Sequence, residues 1–215
     1  ARLVVASRTK ERLAAARAEL GDKIETHALD ATREDEVRRL FERIGRFDHL
    51  AVLTPAAGSP RLSQRLGPLL DMDTATFRAV LESKFWAPVH CAKHAAPHMA
   101  RDGSITFVSG MSSRKAIPGY ASSAAANGAL EALMRLLALE LAPIRVNVIA
   151  PGFIATPIID ELPPERREAW NRMLGAQPVP RMGTAEEVAE AILYAMGNGF
   201  TTGTVLEIDG GYKLT

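Results

Sequence analysis

Two rhythms of apolar and polar positions alternate along the chain. Leu3 to Ala6, Ile24 to Leu29, His49 to Leu53, Ser104 to Ser109, Ile144 to Ile149 and Val205 to Ile208 are short runs rich in apolar or β-branched residues. Their length and composition predict six buried strands. Helical patterns fill the spaces between them. Thr9 to Leu20 is alanine-rich and closes on Gly21, a glycine helix stop. Thr32 with Asp35 forms a helix start, and Val37, Leu40, Phe41 and Ile44 then share one helical face. A long helix is expected from about Thr74 to Met99, with Phe77, Val80, Leu81 and Phe85 on one face and bends at Pro88 and Pro97. Another runs from about Ala121 to Leu141, after a loop from Met111. A capping box at Thr184-Ala185-Glu186-Glu187 opens a last helix to about Met196.

Strands that alternate with helices predict a parallel sheet covered on both faces. No internal repeat and no linker interrupts the pattern, so one α/β domain of Rossmann-type, doubly wound architecture is expected over residues 1–215. In such sheets ligands bind beyond the carboxyl ends of the strands. The loops after Ala6, Leu29, Leu53, Ser109 and Ile149 are therefore where chemistry is expected. Residues 55–70 form one of these loops, rich in Pro, Gly and Ser.

Composition narrows the partners. Lys and Arg total 26 against 25 Asp and Glu, a net charge of +1, and no basic run is present, so neither nucleic acid nor an acidic partner is expected. Apolar residues are never continuous for long enough to span a membrane. The single cysteine, Cys91, excludes an internal disulfide and fits a reducing, cytoplasmic compartment. His90, His94 and His98 recur every four residues beside Cys91. That spacing can bind zinc, but packing is the expected role and no metal is assigned.

The segments Gly128-Ala129-Leu130-Glu131-Ala132-Leu133, Arg145-Val146-Asn147, Ala150-Pro151-Gly152, Arg181-Met182-Gly183-Thr184 and Asp209-Gly210-Gly211 resemble the short-chain dehydrogenase/reductase family. The resemblance runs from residue 2 to the end. It implies a nicotinamide dinucleotide cofactor, a small-molecule substrate and a homodimer or homotetramer. The family's first strand and glycine-rich turn find no match. Roughly thirty residues, the opening half of a βαβ unit, are accordingly expected ahead of Ala1. The family's Asn-Asn-Ala-Gly is matched poorly by Thr54-Pro55 or Ala57-Gly58.

The resemblance also assigns a cofactor side. Ser7-Arg8 falls where the adenosine ribose is met, and arginine there pairs with a 2′-phosphate, favouring NADP over NAD. Asp30-Ala31 falls at the adenine contact, although Asp30 equally suits a helix cap. Pro151, Gly152, Ile154 and Thr156 resemble the segment that meets the nicotinamide amide.

The catalytic side departs from the pattern. Anchoring on Gly128-Ala129-Leu130 puts Ser123 at the Tyr position, Asn127 at the Lys position, Gly110 at the Ser position and Lys84 at the Asn position. A serine hydroxyl without a neighbouring base is a poor acid at neutral pH, so the family's standard mechanism is not available. Replacement roles fall to Lys84, which lies on the apolar stripe of its helix and as a desolvated lysine would be an acid or hydrogen-bond donor. They fall also to Tyr120, and to Ser112 or Ser109 as the substrate-side hydroxyl. The apolar residues of 157–180, including Ile158, Ile159, Leu162, Trp170 and Met173, imply an apolar ligand. Two functions follow: an atypical NADP-linked oxidoreductase on a carbonyl or alcohol, or a non-catalytic dinucleotide-binding or oligomerising protein of the same fold.

Overall fold

The computed structural model describes residues 2–53, 66–157, 159, 162 and 164–215. Among these residues six strands form two parallel sheets. Strand β1 (Val4–Ser7) pairs with β2 (Glu25–Ala28), Val4 opposite Glu25 and Ser7 opposite Ala28. Strands β3 (Phe47–Val52), β4 (Met99–Val108), β5 (Arg145–Pro151) and β6 (Val205–Ile208) lie side by side in that order. Helices α1 (Lys10–Leu20), α2 (Glu34–Ile44), α3 (Thr74–Leu81), α4 (Ala87–Ala95), α5 (Ala121–Glu140), α6 (Pro164–Ala176) and α7 (Ala185–Gly197) connect and cover them.

Burial explains why the central strands read as unbroken apolar runs. Ile105, Phe107, Val146 and Val148 face one layer, where they meet Leu40 and Phe41 of α2, Cys91 and Ala95 of α4 and Leu130 of α5. Ile149 and Val108 face the other, against Ile192 and Ala195 of α7. A strand clasped on both faces has no polar side to show. Each such side chain, fully removed from water, contributes about 1.5–3 kcal/mol.

Between β1 and β3 runs a slot of about 320 Å³, walled by Val4 and Ala6 on one side, Leu50 and Val52 on the other, and Phe41 and Cys91. No strand pairing crosses it among the described residues. Val4 of β1 and Val37, Leu40 and Ile44 of α2 pack into the same core as α4. Burial alone pushes the Cys91 thiol up to about 12.

Several boundaries differ from the sequence reading, each for a physical reason. The fourth strand begins at Met99 rather than Ser104. Phe47 pairs with Met99 and His49 with Ser104, so residues 100–103 bulge out of the ladder. Gly103 is required in that bulge, because a Cβ there would run into the Asp48 carbonyl. The third strand begins at Phe47, two residues early. The long helix is not continuous: a π-helical turn, Glu82–Trp86, separates α3 from α4. The Ala87 N–H reaches back five residues to the Glu82 carbonyl, and Pro88 has no N–H to offer Lys84. The α-helical ladder is thus broken ahead of the proline. The second helix starts at Glu34 with Arg33 as its N-cap. Thr32, expected to cap it, instead gives its N–H and hydroxyl to Asp30 Oδ1 (3.1 and 2.8 Å). The Asp30 N–H reaches Glu36 Oε2 at 3.1 Å. The capping box of α7 forms as predicted, Thr184 and Glu187 bonding each other's backbone N–H.

The α2–α4 contact carries an electrostatic clamp. Glu34 Oε1 accepts from Lys93 Nζ at 2.7 Å and His94 Nε2 at 2.9 Å. His90 lies 4.0 Å from Oε2 and donates through Nδ1 to the Ala31 carbonyl at 3.1 Å. The Lys93 and His94 hydrogen bonds hold the Glu34 carboxyl down to about 2, from an ordinary 4.5. A carboxylate lowered on folding contributes stability that is present above its unfolded pKa and lost as pH falls through the folded one. The urea midpoint of the wild type is therefore expected to fall more steeply between pH 4.5 and 2 than that of Glu34→Gln. Parallel pH profiles for the two proteins would refute the clamp. His90 and His94 thus converge on a carboxylate between helices, and among the described residues no group of three His, Cys, Asp or Glu side chains is placed to hold a metal ion.

Candidate active site

A cavity of about 240 Å³ opens beyond the carboxyl ends of β4 and β5. Six segments build it: the loop after β4, the first turns of α5, the Pro151–Thr156 segment, α6 through Trp170, Lys84 from the π-turn, and Tyr212 after β6. All five residues assigned a chemical role from the sequence, Lys84, Ser112, Tyr120, Ser123 and Asn127, line it. So do Pro151, Gly152, Ile154 and Thr156.

The polar wall is held from α5. Asn127, 2% exposed, donates its Nδ2 to the Gly110 carbonyl at 3.2 Å and to Ser112 Oγ at 3.0 Å. These two acceptors fix which way the amide faces. Its Oδ1 is left buried without a hydrogen-bond partner. An unsatisfied buried acceptor costs about 1–3 kcal/mol, so this oxygen suits a donor brought by a ligand. Gly110 and Asn127 fit each other: a Cβ at 110 would come within 3.1 Å of Asn127 Nδ2. Of the two serines that could take the substrate-side role, Ser109 donates its hydroxyl to Glu131 at 2.9 Å, while Ser112 only accepts from Asn127 and keeps a proton to donate. Ser123 is buried on the same helical face, one turn before Asn127.

Lys84 is 9% exposed. The π-turn that carries it widens the helix at this point; such turns are frequent at functional sites. Tyr120 sits at the N-cap of α5, and its phenol oxygen accepts from Trp170 Nε1 at 2.9 Å. That bond ties the mouth of α5 to α6 across the cavity.

The opposite wall is apolar: Met111, Ile117, Phe153, Trp170 and Tyr212. Phe153 packs on Trp170 (centroids 4.6 Å apart) and edge-on to Tyr212 (4.8 Å). Burial raises the Tyr212 phenol above its ordinary pKa, and its hydroxyl meets Met173 Sδ at 3.1 Å. Gly152 is needed for a close approach, but to Asp209: a Cβ would lie 2.8 Å from the Asp209 Cα. Ile154 bridges to Gly183, which holds the segment flat beside α7's entrance.

The second set of sequence-assigned residues gathers at the end of the slot. Ser7 ends β1, and Ser7, Arg8 and Ala31 line the slot itself. Arg8 NH1 lies 3.7 Å from Asp30 Oδ2. Arg8 Nε and NH2, and the neighbouring Thr9 hydroxyl, are buried with no hydrogen-bond partner. Buried guanidinium donors are normally satisfied, so three orphaned donors on two consecutive residues fit an anionic ligand such as a phosphate. Thr9 was not legible in the sequence, where it reads as a helix start. Glu131 and the Phe153–Tyr212 pair were missed too, since only the fold brings the pair to the cavity and sets Glu131 against Ser109, Ser113 and Arg114. Thr54, Pro55, Ala57, Gly58 and Ile158 lie outside the described residues.

Among the described residues no helix is long and apolar enough to cross a membrane. Against known proteins, the family model described as enoyl-(acyl carrier protein) reductase matches residues 1–213. Cis-4-hydroxycyclohexanecarboxylate dehydrogenase of Sinomonas cyclohexanicum is 37% identical over 85% of this chain and 74% of its own length. The 3-oxoacyl-[acyl-carrier-protein] reductase FabG of Thermotoga maritima is 32% identical over 89% of this chain and 78% of its own. A crystal structure of a small-chain dehydrogenase in complex with NADPH superimposes with a TM-score of 0.83 at 36% identity, each chain covered fully. With a parallel α/β sheet, a cavity beyond its strand ends and relatives of this kind over most of its length, the chain belongs to the short-chain dehydrogenase/reductase family of oxidoreductases.

Proposed function

We propose that the protein is an NADP-dependent oxidoreductase acting on a carbonyl or alcohol of a small, largely apolar substrate, through a catalytic set that differs from the family's. The observation that carries this reading is the convergence of Lys84, Ser112, Ser123 and Asn127 on the polar wall of one cavity whose other wall is aromatic and apolar. The geometry divides the work. The apolar wall takes the body of the substrate and excludes water. The Ser112 hydroxyl, oriented by Asn127, donates to the substrate oxygen. Lys84 holds the proton that this oxygen gains on reduction or gives up on oxidation. Asn127 Oδ1 accepts from a ligand hydroxyl. Ser123 borders this polar wall, and Tyr120, tied to Trp170, keeps the mouth closed on one side.

The cofactor side fits a dinucleotide with a 2′-phosphate. Arg8 and Thr9 would hold that phosphate, and Asp30-Ala31 would border the adenine. Pro151, Gly152, Ile154 and Thr156 would face the nicotinamide end. When bound, NADP accepts or supplies the hydride. A second reading, a dinucleotide-binding protein without turnover, is favoured by Ser123 and Asn127, which offer no acid or cation in place of the family's Tyr and Lys.

A fluorescence titration with NADPH, and in parallel with NADH, tests the reading. NADPH is expected to bind at least tenfold more tightly. Equal affinities would remove Arg8 as a phosphate ligand, and no binding of either would end the oxidoreductase reading. Oxidation of cis-4-hydroxycyclohexanecarboxylate with NADP⁺ is the first turnover assay, and binding without turnover across a panel of such alcohols would favour the second reading.

A further inference from the structure

Glu131 is a carboxylate in an expensive place. It lies one turn beyond Asn127 on the same face of α5 and is 5% exposed. Burying a charge is costly unless it is paired and hydrogen-bonded. For stability alone, a well-packed apolar residue often serves as well or better. Every partner of this carboxylate belongs to the loop that forms the cavity's polar wall. Oε1 accepts from Ser109 Oγ at 2.9 Å and Ser113 Oγ at 2.7 Å. Oε2 pairs with Arg114 NH2 at 3.1 Å. Arg114 then reaches across to Glu207 Oε1 on β6 at 2.8 Å.

The residue between these anchors is Ser112. Asn127 holds it from one side through its hydroxyl and through the Gly110 carbonyl. Glu131 holds the chain before it, at Ser109, and after it, at Ser113 and Arg114. Two side chains four apart on one helix thus grip six residues of loop. We infer that Glu131 is a positioning residue: its carboxylate fixes the Ser109–Arg114 loop and thereby sets where the Ser112 hydroxyl points in the cavity. The inference rests on the reading of that cavity as the reacting site. Misplacing a reacting group by about 1 Å can cost on the order of 100-fold in rate, so loosening this loop should be felt in turnover before it is felt in binding.

The test uses the full chain with Glu131→Gln, which keeps the shape and removes the charge that Arg114 meets. Hydrogen exchange is followed over residues 110–115, and kcat and KM are measured for cis-4-hydroxycyclohexanecarboxylate with NADP⁺. The expected result is exchange about tenfold faster in this loop, with β4 and β5 unchanged. With it, kcat should fall about 30-fold while KM and NADPH affinity stay within about threefold. A merely structural role would lower the melting temperature without changing loop exchange or the kcat of the folded protein, and that outcome overturns the proposal. Should Glu131→Gln fail to fold, Ser113→Ala removes one donor and leaves the carboxylate paired with Arg114. It should raise loop exchange about threefold, and no rise would overturn the clamp. A wild-type protein that shows no turnover would sink the enzymatic reading, while the exchange data still decide whether Glu131 holds the loop.

Discussion

Arg8→Gln is expected to weaken NADPH binding about 100-fold and to leave NADH binding within about twofold. Two of the Arg8 donors, Nε and NH2, are buried and unpartnered, and the Thr9 hydroxyl beside them is in the same condition. Hydrogen bonds to charged groups contribute about 1.5–3 kcal/mol each, so a phosphate taken by both nitrogens accounts for at least about two factors of ten. The Asp30 carboxylate, 3.7 Å from Arg8 NH1, adds to the effect, because without the guanidinium it faces the phosphate uncompensated. NADH carries no 2′-phosphate and has nothing to lose. Fluorescence titration of both nucleotides against both proteins reads the result directly. An unchanged NADPH affinity in the variant would show that the phosphate goes elsewhere.

Lys84→Met is the larger effect on rate. Turnover of any accepted substrate should fall about 10³-fold, within the range that a positioned proton donor contributes, while NADPH affinity stays within about twofold. Methionine keeps a flexible apolar stem of similar length, so the buried part of Lys84 is replaced and only the ammonium is removed. The π-turn Glu82–Trp86 supports this separation, because the bond from the Ala87 N–H to the Glu82 carbonyl that closes it is made by the backbone. Steady-state kinetics of the variant beside a cofactor titration is the measurement. Full activity would end the role given to Lys84, and joint loss of activity and of cofactor binding would recast it as a structural lysine.

Much of this was written in the sequence. Six strands and their order of burial were legible because Ile105, Phe107, Val146 and Val148 sit in runs that no solvated segment would carry. Asn127, Ser123 and Lys84 were legible because helical spacing and a family pattern both place them. The first part of β4 was not, since Arg101, Asp102 and Gly103 look like a loop and are one, looped out of a strand that has already begun. The π-turn was invisible because Glu82, Ser83 and Lys84 are ordinary helix residues. Pro88 marked the disturbance but misplaced it by about a turn. Neither Thr32 nor Asp30 caps α2: either could have done so by sequence, and only the fold showed the threonine donating to the aspartate. Thr9 and Glu131 escaped for a common reason. Each is an unremarkable helix residue until tertiary packing buries it, and what singles it out is the pairing it lacks or the partners it gathers.

The slot between β1 and β3 has a consequence for the backbone. A strand edge faces it from each side, and among the described residues neither edge is paired across it. Backbone N–H and C=O groups held away from water need partners, and an unpaired edge is a ready template for one more strand. The backbone of Val4–Ser7 and of Phe47–Val52 is therefore shaped to take a strand between them, and Arg8 stands at the end of that position.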